Sequence, residues 1–231
     1  MKDLKIINFD NLKGLEKGQT YRNGHSLLPQ HPYSMLITSK SGGGKSVILC
    51  NLLTKFSPFD RIYLITPHLE QSKYKLLQKF YDKILAKTGE EILFTARTIE
   101  EAPTSEDLED TDELQTCICF DDVIMEKDLQ PIERWFVKNR HSNTSVIFLS
   151  QVYTNKIPKS IRLNAMYHIF LKCPNKKELS LIYQELGYNT TKDKFIDMFN
   201  KATNGYNFFL VDLKTQELLL QYRKNFDEVL V

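Results

Sequence analysis

Met35-Leu36-Ile37-Thr38-Ser39-Lys40-Ser41-Gly42-Gly43-Gly44-Lys45-Ser46-Val47-Ile48-Leu49-Cys50-Asn51-Leu52-Leu53 is the stretch whose reading decides the fold. Its middle, Ser39 to Ser46, fits the pattern G-x-x-x-x-G-K-[ST] at every fixed position but the first, where Ser39 stands for glycine. The flanks give the pattern its context: Met35 to Thr38 reads as a short buried strand, and Val47 to Leu53 as a buried helix. Three consecutive glycines let backbone N–H groups curl around a phosphate with no Cβ in the way. The helix after them offers its unsatisfied N-terminal donors and positive dipole end to the same anion. The cradle then runs over Ser41, Gly42, Gly43, Gly44, Lys45, Ser46 and Val47. Lys45 would reach the β- and γ-phosphates of a nucleotide such as ATP, and the Ser46 hydroxyl would ligate Mg2+. A glycine turn with a solvated lysine is the plainer alternative, which the strand–loop–helix context disfavours.

A second element lies further on. Thr116-Cys117-Ile118-Cys119-Phe120-Asp121-Asp122 is an apolar strand ending in two carboxylates. Beside a phosphate loop, this is the expected Walker B strand, with Asp121 holding Mg2+ through a water and the next acid orienting the attacking water. Asp122 stands where many ATPases carry glutamate, and Glu126, one turn on, is the alternative. Gln151 directly follows the apolar run Ser145 to Ser150. It would therefore stand at the carboxyl edge of a sheet, where ligands of open α/β folds bind, within reach of a γ-phosphate or the attacking water. Taken alone, an Asp-Asp strand end is more often a helix cap and Gln151 a simple strand terminus.

Around these motifs, strands alternate with helices. Arg61 to Thr66 and Ile92 to Thr95 read as strands, as does Met166 to Leu171. Helical spacing marks Gln71 to Leu85, Leu129 to Lys138 and Thr191 to Ala202. Asn175-Lys176-Lys177-Glu178 resembles a capping box opening a helix that runs to about Leu186, with Gly187 as its stop. Phe208 to Asp212 and Glu217 to Tyr222 read as a terminal hairpin turning at Lys214-Thr215. Continuous apolar strands alternating with helices imply an α/β fold with a mainly parallel sheet covered on both faces. Residues 1–32 read as an arm packed on one ATPase domain spanning 33–231.

Composition sets the bounds. A length of 231 residues, 42% hydrophobic and 26% charged, is that of one ordinary globular domain. No run approaches the roughly 18 apolar residues of a membrane span, and the charge-broken start does not read as a signal peptide. Cys50, Cys117, Cys119 and Cys173 form no C-x-x-C pair, so reduced structural thiols and an intracellular setting are expected. The net charge of +2 hides an acidic run of eight Asp and Glu residues between 100 and 113, expected as a solvated loop. Without it the rest of the chain is clearly basic, which is compatible with a nucleic-acid partner.

The phosphate loop, Asp121-Asp122, and Arg140-His141-Ser142-Asn143-Thr144-Ser145-Val146-Ile147-Phe148-Leu149-Ser150-Gln151 together resemble the DNA-packaging ATPases of large double-stranded DNA viruses. Similar proteins occur in virophages and Polinton/Maverick elements and, more distantly, in poxviruses. The resemblance covers about residues 33 to 187, including Phe59-Asp60-Arg61-Ile62-Tyr63 and Ile161-Arg162-Leu163-Asn164. It places the chain in the FtsK–HerA group of ring-forming DNA pumps. A RecA-like (ASCE-type) P-loop NTPase fold is implied, with the Gln151 strand lying between the phosphate-loop and Walker B strands. So are a hexameric or pentameric ring with ATP at subunit boundaries, double-stranded DNA in the pore, viral capsid proteins as partners, and work inside the host cell or its viral factory. Ser39 and Asp122 depart from the usual pattern.

Arg140 precedes the Gln151 strand and so would lie on the far side of the sheet from its own phosphates. There it would act as an arginine finger in a neighbour's site or as a plain cation at a helix C-terminus, with Arg162 as the second candidate finger. Lys156, Lys159 and Arg162 come after Gln151 in a loop-like basic segment suited to DNA backbone phosphates or to solvent. A nucleotide kinase and a nucleotide-gated interaction protein are the competing readings; DNA-stimulated phosphate release separates the pump from both.

Overall fold

The computed structural model describes residues 21–231 except 105, 112–113, 124–127, 140–142, 155 and 173–174. Glu126, Arg140 and Cys173 therefore lie outside the described residues, as do Asp112 and Glu113 of the acidic run.

Nine strands form one sheet in the order β3-β2-β4-β5-β1-β6-β7-β8-β9. The strands are β1 (Ser34–Thr38), β2 (Arg61–Ile65), β3 (Leu93–Ala96), β4 (Thr116–Asp121), β5 (Thr144–Ser150), β6 (Tyr167–Phe170), β7 (Phe209–Asp212), β8 (Tyr222–Lys224) and β9 (Glu228–Val229). From β3 to β6 every pairing is parallel, and β7, β8 and β9 add antiparallel. The expected position of the Gln151 strand is observed, since β5 pairs with β1 on one side and β4 on the other.

Helix α1 (Lys45–Asn51), prolonged by a π-helical turn over Leu52–Phe56, covers one face together with α2 (Ser72–Thr88). Their residues Leu49, Tyr74, Leu77 and Tyr81 pack on Met35, Ile37, Leu64, Cys117, Cys119, Ile147 and Leu149. The alternate residues Leu36, Ile118, Phe120, Val146 and Phe148 face the other side, where α3 (Gln130–Lys138), α4 (Lys159–Asn164), α5 (Lys176–Leu186) and α6 (Lys192–Ala202) lie. This is the strand period of two with both faces buried. The two thiols expected on one face, Cys117 and Cys119, have sulfurs 3.5 Å apart, and burial pushes the Cys117 thiol up.

Local chemistry sets the helix ends. Asn175 accepts a hydrogen bond from the Glu178 N–H at 2.8 Å, as a capping residue should. Gly187 stops α5 at φ −93°, so no left-handed turn calls for glycine. Close approach does: a Cβ there would meet the Tyr183 ring at 2.3 Å.

Three expectations need correction. The second arm of the terminal hairpin begins at Tyr222, because Leu218–Leu220 winds into a 3-10 turn with Leu218 and Leu219 more than two-thirds exposed. The segment after Gln151 is only partly a loop, since Lys159–Asn164 is helical behind Pro158. Within the acidic run, Ile99–Glu101 and Glu106–Thr111 are short 3-10 turns anchored by buried Ile99 and Leu108. Among the described residues no helix is long and apolar enough to cross a membrane.

Candidate nucleotide site

Parallel register brings the motifs to one edge. Thr38 lies opposite Ser150, and Asp121 opposite Leu149, so β1, β4 and β5 end together. A single cleft of about 210 Å3 opens at these strand ends, lined by Ser41 to Val47, Asp121, Asp122, Gln151, and Gln71 and Lys73 from the start of α2.

The loop is shaped by its glycines. Gly42 and Gly44 take φ of 73° and 101°, the left-handed region that glycine enters without strain. Gly43 is needed for space, because a Cβ on it would sit 1.9 Å from Ser39 Oγ. Ser39, only 5% exposed, thus fills room that Gly43 leaves open, and the first-position departure is absorbed within the loop.

Lys45 Nζ donates to the carbonyls of Ser39 at 2.7 Å and Lys40 at 3.2 Å. Burial lowers its pKa, Lys73 adds to the effect, and the Asp121 and Asp122 carboxylates oppose it. Ser46 Oγ donates to Asp121 Oδ2 at 3.2 Å and accepts from Lys73 Nζ at 2.7 Å. The Tyr74 hydroxyl also donates to Asp121 Oδ2, and burial followed by the Asp121 charge raises its pKa, keeping it a donor. Mg2+ is usually held by one or two carboxylates plus substrate phosphates rather than by a protein cage. Ser46 beside Asp121 fits that chemistry, and among the described residues no cluster of three or more His, Cys, Asp or Glu exists to hold a metal.

Asp122 adopts φ 61°, unusual for a residue with a side chain. Its two oxygens have separate partners: Gln151 Nε2 donates to Oδ1 at 2.6 Å, and His68 Nε2 lies 3.1 Å from Oδ2. Asp122 and Gln151, expected as separate parts, are therefore in direct contact.

Sequence reasoning misses Lys73, Tyr74, His68 and Gln71. All four come after β2, which pairs with β4 in parallel register. The carboxyl edge of the strand beside the Asp-Asp strand is the signal that could have found them. Arg162 is placed elsewhere than expected. It is 4% exposed, forks onto both oxygens of Glu185 at 2.9–3.2 Å, and donates to the Thr154 and Ile157 carbonyls. The bond to Glu185 raises its pKa. A guanidinium so engaged has no free face for a neighbouring subunit or for DNA, whereas Lys156 and Lys159 are exposed.

Phosphate loop, Asp121 strand and interposed β5 in a mainly parallel sheet define a RecA-like P-loop NTPase, an ATPase domain with a nucleotide cleft at the strand ends. More narrowly, the chain belongs to the Poxvirus A32 protein family, whose model matches residues 21–213. The DNA-packaging ATPase B204 of Sulfolobus turreted icosahedral virus has a similar structure, with TM-score 0.58 and 15% identity over 85% of this chain and 98% of that one. The genome-packaging NTPase B204 of Sulfolobus turreted icosahedral virus 2, in complex with ATPγS, matches with TM-score 0.56 and 14% identity over 84% and 96%. At such identities the likeness shows the fold. The sequence has no match among curated proteins.

Proposed function

We propose that this protein is an ATP-driven translocase that packages viral double-stranded DNA into a preformed capsid, hydrolysing ATP at the subunit boundaries of a hexameric or pentameric ring. The observation that carries the reading is the convergence of Ser46 with Asp121, and of Asp122 with Gln151, on one cleft beside the glycine loop. The related B204 proteins are packaging NTPases, one of them captured with ATPγS and AMPPCP, which supports ATP as the nucleotide.

Each residue has a role in this reading. The N–H groups of Ser41 to Val47 cradle the phosphates. Lys45 leaves the Ser39 and Lys40 carbonyls for the β- and γ-phosphates, its partly desolvated charge strengthening that contact. Ser46 and Asp121 hold Mg2+, which when bound neutralises charge developing on the phosphate oxygens. Lys73, now on Ser46 Oγ, moves aside to a phosphate oxygen. Asp122 orients the attacking water and takes its proton, positioned by Gln151 and His68. Gln151 relays the state of the γ-phosphate into the segment after it, where exposed Lys156 and Lys159 meet DNA phosphates. Arg140 serves the neighbouring subunit's site as an arginine finger. Capsid proteins are the partners, and the host's viral factory is the place of work.

The test is phosphate release with and without double-stranded DNA, alongside light scattering of the chain with ATP and DNA. DNA-stimulated release from a ring is the expected result. Phosphate transfer to a small acceptor, or tight binding without turnover, would overturn it. Charge reversal at Lys156 and Lys159 should lower DNA stimulation and flatten the salt dependence of binding.

A further inference from the structure

Val47 lines two spaces at once, the phosphate cleft and a second, larger groove of about 540 Å3. The two therefore adjoin at Val47, in the first turn of α1. We propose that this groove seats the base of the bound nucleotide, with the Phe226 ring as the wall against which the base lies. The inference rests on the nucleotide-binding reading and adds to it where the base goes and what holds it.

Direction comes from topology. Asp121, Asp122 and Gln151 stand at the ends of β4 and β5, on one side of β1, so a γ-phosphate belongs there. The opposite end of a nucleotide leaves on the β6 side, and Val47 marks that exit. Because β7 runs antiparallel to β6, with Phe209 opposite Phe170, the start of β7 reaches the same sheet edge as the phosphate loop. Lys224 lies opposite Phe209, so the turn after β8, Asn225 to Asp227, arrives there too.

The lining suits a flat aromatic ligand. The Phe226 ring is 5.0 Å from Phe208 and 5.6 Å from Phe56, both edge-on, so it is braced upright. Leu28 lines the same groove, and Asn51 and Asp227 are among its polar lining residues. A mostly apolar cleft of roughly 300–1,000 Å3 with a few polar groups is the usual form of a small-molecule site. The wall is fixed by buried chemistry: Arg223 is 1% exposed, binds Asp212 at 2.6 Å, and donates to the carbonyls of Leu27 and Phe226 at 2.9 and 3.1 Å. That one guanidinium ties Leu27 to the 225–227 turn, both of which line the groove.

The experiment measures binding of ATPγS and of inorganic tripolyphosphate to the full chain with Mg2+, before and after Phe226→Ala and Leu28→Trp. Removing a stacking ring, or filling the groove, should weaken ATPγS roughly 10- to 100-fold and leave tripolyphosphate, which has no base, unchanged. Phe226→Tyr should restore ATPγS binding. Photolabelling with 8-azido-ATP should mark peptides containing 25–28, 47–56 or 206–227. Unchanged ATPγS affinity in folded Leu28→Trp overturns the proposal even if Phe226→Ala fails to fold, as does an equal loss of tripolyphosphate or a label confined to residues 68–75. If the unaltered chain binds neither ligand, the nucleotide-binding reading itself fails, and the base site with it.

Discussion

Asp122 sits at the rim of the cleft with its side chain 30% exposed, one oxygen on the Gln151 amide and the other near His68. Glu185 is 12% exposed, accepts from Arg162 at both oxygens, and takes the Tyr153 hydroxyl at 2.8 Å as well. The first carboxylate has partners that water can replace, on backbone held in a conformation costing of order 1 kcal/mol. The second is closed: its charge is fully answered by the fold, and burial, which alone would raise its pKa, is outweighed by those bonds so that the pKa falls. Groups of similar chemistry thus divide between sites open to ligand and sites that only hold the fold.

Breaking the open side should cost activity and spare stability. Lys45→Ala should lower phosphate release on the order of 1,000-fold or more, with the denaturation midpoint nearly unmoved because a buried cation is removed. Retained turnover would refute the assignment of the loop. Breaking the closed side should do the reverse. Arg162→Ala strands Glu185 and should destabilise by about 3–5 kcal/mol in chemical denaturation, while Arg162→Met with Glu185→Leu should recover most of it. A double variant as unstable as the single one would deny that the pair is merely structural.

Asp122→Asn sharpens the contrast within the cleft. It should still bind ATPγS and slow hydrolysis by on the order of 100–1,000-fold, whereas Asp121→Ala should lose Mg2+-dependent binding. Normal turnover by Asp122→Asn, with a stalled Glu126→Gln, would move the water-orienting role to Glu126.

The smallest effect concerns pH. Burial lowers the pKa of His31 and of His168 to about 4, from 6.5 when free. Between those values the unfolded chain takes up protons that the fold excludes, so stability is full above about pH 6.5 and falls as pH drops toward 4. Each histidine should account for about 1–2 kcal/mol between pH 7 and pH 5. His31→Gln, aimed at the bonds to Ser145 and Asn143, should flatten that slope; an unchanged slope would assign the loss to other groups.

Where residue type and spacing fix local geometry, the chain is legible. The strand–loop–helix, the Asp121 strand and the Asn175 cap depend on neighbours in sequence and appear where expected. Leu218–Leu220 misleads because an apolar run reads as a half-buried strand, while the sheet edge leaves Leu218 and Leu219 in solvent. Helix α4 is six residues long, too short to show a period. Lys73 and His68 match no motif, since they owe their place to β2 lying beside β4, a contact between distant parts of the chain. Arg162 reads as free charge because nothing local announces Glu185, twenty-three positions on.

Ser39 and Gly43 are sterically coupled. Since the serine hydroxyl occupies the volume a methyl at 43 would need, Gly43→Ala should be lethal to the loop in this background and better tolerated after Ser39→Gly. A profile that scores the two positions independently counts Ser39 as a defect. In this chain the first position of the loop pattern and Gly43 answer for one shared volume, so neither can be judged without the other.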